Sequence, residues 1–184
     1  MLDESQRQTL LRIARETITA ALDGRKISWS AGDVDETLRR PAGAFVTLTI
    51  EGELRGCIGS IVAVEPLFQA VATSARNAAF RDPRFFPLSK EELGRIELEI
   101  SVMGPIERVT NLEDIVVGRD GLIISRGAQA GLLLPQVATD WGWGRDEFLE
   151  QTCVKAGLPR DAWKRPETKI EKFSAEVFGE HPAA

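Results

Sequence analysis

The sequence predicts an α+β fold, on three observations. Residues 44–50 are rich in β-branched and aromatic side chains, and Glu51-Gly52 then turns the chain into a second extended run, a β-hairpin. In 96–103, Ile96, Leu98, Ile100 and Val102 fall on one face and Glu97, Glu99, Ser101 and Met103 on the other, the pattern of a half-buried antiparallel strand. Strands and helices alternate without the regular strand–helix–strand spacing of a doubly wound parallel sheet.

The chain opens with an amphipathic helix over 3–22, on which Leu10, Ile13, Ala14, Thr17, Ile18, Ala21 and Leu22 recur at helical spacing. Ser5 and Gln8 fit a capping box, and Gly24 fits a stop. Residues 25–41 are polar and read as a loop with a helical turn at 34–38. After the hairpin, Pro66 starts a second helix running to 80, with Leu67, Ala70, Val71, Ser74, Ala75 and Ala78 on its apolar face. Arg76 and Asn77 near its end are either site groups or part of a solvated face. Pro83 and Pro87 keep 81–88 out of regular structure, and Ser89 with Glu92 caps a short helix before the strand at 96–103.

Beyond Gly104-Pro105 the pattern predicts a helical turn at 112–115 and short strands at 116–117, 122–125 and 132–134, with a turn at 127–131. Helices follow at 136–141 and 145–156, then a last strand over 169–178. Cys153 shares a helical stripe with Phe148, Leu149 and Thr152, which reads as core.

At 184 residues, 43% hydrophobic and 28% charged, the composition is that of a soluble globular chain. A net charge of −5 argues against a nucleic-acid binder. No apolar run reaches the roughly 20 residues of a membrane span. The Met-Leu-Asp-Glu-Ser-Gln start lacks the basic and apolar regions of a secretory signal, so a cytoplasmic protein is expected. Cys57 and Cys153 are then not expected to form a disulfide. With His181 as the sole histidine, beyond the last element, neither a metal site nor a Cys–His dyad is expected. No nucleotide-loop motif is present, and no cofactor is expected.

The stretch that departs from an ordinary strand is 54–60, Leu-Arg-Gly-Cys-Ile-Gly-Ser. Gly56 and Gly59 let another backbone or a ligand come close. Period-2 geometry puts Arg55 and Cys57 on one face, where a guanidinium favours the thiolate. The amides of Ile58, Gly59 and Ser60 are candidates for an anion-binding concavity. The alternative is a buried cysteine between two packing glycines. In 81–88, Arg84 either clasps Asp82 or is presented by a rigid loop to an anion. Glu99 and Ser101 share a face that is either a cleft wall or plain exposed sheet.

The Leu-Arg-Gly-Cys-Ile-Gly stretch resembles the hallmark of the AmmeMemoRadiSam system protein A family, the AMMECR-type domain. Asp82-Pro83-Arg84-Phe85, Pro87-Leu88, Ile100-Ser101-Val102, Leu133-Leu134-Pro135-Gln136-Val137-Ala138, Trp143 and Cys153-Val154-Lys155-Ala156-Gly157-Leu158 agree in the same order. The resemblance implies a single AMMECR-type domain with two lobes. The larger, about 1–104 with 167–184, has an antiparallel sheet flanked by helices. The smaller, about 105–166, has helices and a short antiparallel sheet. It further implies a cleft between the lobes faced by the Cys57 segment, and a shared pathway with Memo-like and radical-SAM proteins. The expected function is an enzyme acting on a small anionic molecule. Cys57 would be its reactive thiol, Arg55 and Arg84 would bind the anion, and Asp82 or Glu99 would move the proton. The alternative is a non-catalytic module that binds a metabolite or a protein.

Overall fold

Asp3, rather than Ser5, caps the first helix of the computed structural model, which describes residues 1–181. Helix α1 spans Glu4–Leu22, with a complete capping box between Asp3 and Gln6. Two overlapping boxes compete in this sequence. The earlier one wins because it adds helix and puts a carboxylate at the positive end of the helix dipole. It also leaves Leu2 buried, with its amide held by Glu176.

The chain divides into two compact units, Met1–Met103 with the chain from Glu176 onward, and Gly104–Ala175. The division between Ala175 and Glu176 falls inside the last strand. In the first unit, strands β1 (Ala44–Ile50), β2 (Glu53–Ser60) and β3 (Ile96–Met103) pair antiparallel in the order β2-β1-β3. Helices α1 and α2 (Leu67–Phe80) bury their apolar stripes on one face of this sheet. Val46, Leu48, Leu98 and Ile100 meet Leu10, Ile13, Phe68 and Val71 in the core, each large apolar side chain contributing about 1.5–3 kcal/mol by burial. Glu51 and Gly52 both take positive φ, as the two-residue hairpin turn requires. The helical turn expected at 34–38 is a 3-10 turn at Glu36–Arg39, begun by the Asp35 side chain on the Thr37 amide.

The second unit holds β4 (Glu107–Arg108), β5 (Asp120–Arg126), β6 (Gln129–Leu133) and the first part of β7 (Lys169–Gly179). Strand β5 pairs with β6 and β7, and β4 pairs with β7. Helices α3 (Pro135–Trp141) and α4 (Arg145–Lys155) bury Ala138, Phe148, Leu149 and Cys153 against Leu122 and Ile124. The strand expected at 116–117 is a turn, because the Asp120 carboxylate takes the Val116 amide at 2.8 Å and Gly118 follows with φ +92°. The α+β class is as the sequence predicts. Among the described residues, no helix is long and apolar enough to cross a membrane.

Candidate functional site

The 54–60 stretch is strand β2, whose outer edge carries no neighbouring strand within its unit. Such an edge leaves backbone groups unpaired, and the 81–88 loop covers this one with side chains. The Asp82 carboxylate accepts the Cys57 amide at 2.9 Å, and Arg84 Nη2 donates to the Cys57 carbonyl at 3.4 Å. Arg84 also grips Asp82 through Nε (3.0 Å) and Nη2 (2.8 Å). The Asp82 side chain is 2% exposed. The Arg84 guanidinium, helped by the Cys57 amide and opposed by burial, holds its carboxyl well below the usual carboxylate range.

Arg55 is bound in the same manner. Its Nε and Nη2 meet the Glu92 carboxylate at 2.8 and 3.0 Å, and Nη2 also reaches the Phe86 carbonyl. The Arg55 guanidinium draws the Glu92 pKa down to about 2. The Phe85 ring is in contact range of both cations, 5.8 Å from Arg55 and 5.5 Å from Arg84. Each guanidinium on which an anion pocket was to rest therefore has its own carboxylate.

Strict alternation fails at Arg55. Thr49 pairs with Leu54 and Leu48 with Gly56, so Arg55 is the extra residue of a β-bulge. The bulge frees its side chain to reach Glu92 rather than the thiol. The amides after Cys57 are not a free row, because 58–60 stays paired with β1. With the Cys57 amide turned outward to Asp82, those of Ile58 and Ser60 turn inward to β1, and Gly59 alone points out. The glycines answer to their own chain. A Cβ at Gly56 would strike the Ala78 carbonyl of α2, and one at Gly59 would meet the Ala44 carbonyl and the Phe45 ring.

What the fold does bring together is a polar row across the sheet face opposite the helices. Cys57 pairs with Thr47, and Thr47 with Glu99, so the three side chains share that face. Thr47 Oγ1 donates to Cys57 Sγ at 3.3 Å. Cys57 and Thr47 are half-buried and Glu99 is exposed. Ser101 lies one row on, beside Phe45, and is buried. Cys153 is fully buried in the second unit, where burial pushes its thiol pKa up.

Two further residues belong to this face. Thr47 reads as a plain strand former in the sequence, yet its alternation with buried Val46 and Leu48 puts it on the open face. His181 lies beyond the last strand that the sequence predicts. Yet the Glu180 amide bonds the Leu98 carbonyl at 3.1 Å, extending the sheet, and His181 lines a cavity of about 110 Å³ with Thr47, Thr49 and Glu99. Asn77 lines a separate cavity of about 110 Å³ with Ile58, Gly59 and Ser60. Among the described residues, no group of three or more His, Cys, Asp and Glu side chains is arranged to hold a metal ion.

Comparison with known proteins matches this architecture end to end. A protein of Methanothermobacter thermautotrophicus is 45% identical over 97% of this chain and 96% of its own length, and one of Aquifex aeolicus is 44% identical over 93% and 91%. The crystal structure of an uncharacterized protein from Pyrococcus horikoshii superposes with a TM-score of 0.90 at 40% identity, covering 98% of this chain and 94% of that one. Residues 11–178 match the AMMECR1 family model, and with relatives this similar over nearly the whole length, the chain belongs to the AMMECR1 family.

Proposed function

We propose that the protein is an enzyme whose reactive group is the Cys57 thiol, working on a small molecule bound against the polar face of the first unit's sheet. The observation that carries this reading is the hydrogen bond from Thr47 Oγ1 to Cys57 Sγ, made by a half-buried thiol on an open face. A donor aimed at sulfur favours the thiolate, the nucleophilic form. Glu99, across Thr47 in the same row, is the carboxylate suited to move a proton. Asp82 is not, since two partners hold it ionised. The strand backbone around Gly56 and Gly59 fixes the thiol rather than binding substrate. The substrate's charge has less support from this site, where Arg55 and Arg84 are already paired. Cytoplasmic work alongside Memo-like and radical-SAM proteins, implied by the sequence resemblance, belongs to the same proposal.

A second reading, a non-catalytic binding module, draws on Phe86, which stands 89% exposed on the loop held by the two arginines. Alkylation followed by mass spectrometry across pH separates the two. Cys57, half-buried on an open face, should label much faster than the fully buried Cys153. Equal slow labelling of both cysteines would remove the enzyme reading and leave the module.

A further inference from the structure

The first two helices end at a hollow that the thiol site does not use. One cavity of about 600 Å³ and a neighbouring one of about 280 Å³ share Ala21, from the last turn of α1, and Arg76, from α2. Lys26 and Arg25 line the first, and Arg81 and Phe80 the second. Among the described residues, no carboxylate lines either. Arg25 has a loose partner in Asp23 at 3.4 Å, which Asp23 shares with Lys90. Among the described residues, Lys26, Arg76 and Arg81 have no side-chain hydrogen bond or ion pair.

These cations are not consumed as helix caps either. Backbone amides already take the terminal carbonyls: Arg25 N bonds Ala20 O at 2.8 Å, Arg81 N bonds Asn77 O at 2.8 Å, and Leu88 N bonds Ala79 O at 2.8 Å. Elsewhere in this unit Arg7, Arg15, Arg55 and Arg84 each grip a carboxylate. In a chain with 28 acidic and 23 basic residues, three unpaired cations lining two cavities that share Arg76 are a local reversal of charge. Cations that converge repel one another until an anion joins them.

We propose that this hollow binds a small organic phosphate. The guanidiniums of Arg76 and Arg81 offer paired donors that match phosphate oxygens, and the Lys26 ammonium adds a point charge. Ala21 and Phe80 supply an apolar wall for the organic part, and the volume is that of a small-molecule site. The assignment is independent of the chemistry of Cys57.

The test is isothermal titration calorimetry of the full chain with inorganic phosphate and with phenyl phosphate, at constant ionic strength. Both should bind saturably at one site, phenyl phosphate about tenfold more tightly because its ring leaves water. Arg76→Gln and Arg81→Gln should each weaken phenyl phosphate by about tenfold or more. Lys26→Gln, on the loop beyond α1, should weaken it by a smaller factor and gives a reading that does not depend on the helices. Arg95→Gln removes an equal charge at a site paired with Glu51 and should bind as wild type. Absence of saturable binding, or binding that the Arg76 and Arg81 variants retain, would overturn the site. An equal loss in Arg95→Gln would overturn it too, by reducing the effect to net charge. Equal affinity for the two probes would overturn the organic part of the ligand.

Discussion

The Asp82 carboxylate accepts the Cys57 amide at 2.9 Å while gripped by Arg84, so a charged side-chain pair stands where a neighbouring strand would pair. Asp82→Asn should therefore cost about 2–3 kcal/mol, because the amide group turns a donor toward Arg84 and weakens the acceptor facing Cys57. Urea denaturation checks this through its midpoint, with the slope unchanged. A wild-type midpoint would mean that the loop does not hold the strand edge.

The same carboxylates predict acid sensitivity. Asp82 and Glu92 both have folded pKa values below their ordinary ones, Glu92 at about 2 against 4.5. A depressed pKa contributes stability that is full above the unfolded value and is lost as pH falls through the folded one. Melting temperature should thus be flat above about pH 5 and fall from about pH 4.5 toward 2. The Glu92→Gln variant should lose part of that slope. An identical slope in the variant would show that other carboxylates set it.

Gly56→Ala and Gly59→Ala should each destabilise the protein by about 1–3 kcal/mol with no ligand present, because the new methyl meets backbone or the Phe45 ring. Gly94→Ala is the control. Nothing lies within 4 Å of a Cβ there, and its stability should stay level or rise slightly. Wild-type melting in both strand variants would return the glycines to a ligand-contact role.

Periodicity made the frame legible: β1 and β3 occupy the residues it assigned, because alternation over seven or eight residues leaves one register that buries the apolar set. Local chemistry also carried the Ser89–Glu92 box and the hairpin turn. The Arg55 bulge was not legible, since the residues around it carry no apolar alternation that would show the shift of face, and the extra residue shows only against the partner's register. Nor were the ion-pair partners. Glu92 reads as a capping residue, and that its second face meets Arg55 depends on packing 37 positions apart. The Cys57–Thr47–Glu99 row was half visible. Each residue's face followed from its own strand, but aligning the three needed the pairing of β1 with both neighbours.

That row supplies the last prediction. The hydroxyl of Thr47 is the hydrogen-bond partner of Cys57 Sγ, and it is a donor that supports negative charge on sulfur. Thr47→Val keeps the β-branched shape and strand propensity but removes the donor. Cys57 should then alkylate about fivefold more slowly at neutral pH, the equivalent of one hydrogen bond of about 1 kcal/mol. Thr47→Ser keeps the hydroxyl and should restore most of the rate, which separates a chemical effect from a packing one. Glu99→Gln, across the same strand, should leave alkylation close to wild type, because Glu99 faces Thr47 rather than the sulfur. If valine at position 47 leaves the rate unchanged, Thr47 merely packs beside the thiol. The reactivity of Cys57, if measured, would then come from the strand-edge charges of Arg84 and Asp82, and a double variant at those two positions would be the next comparison.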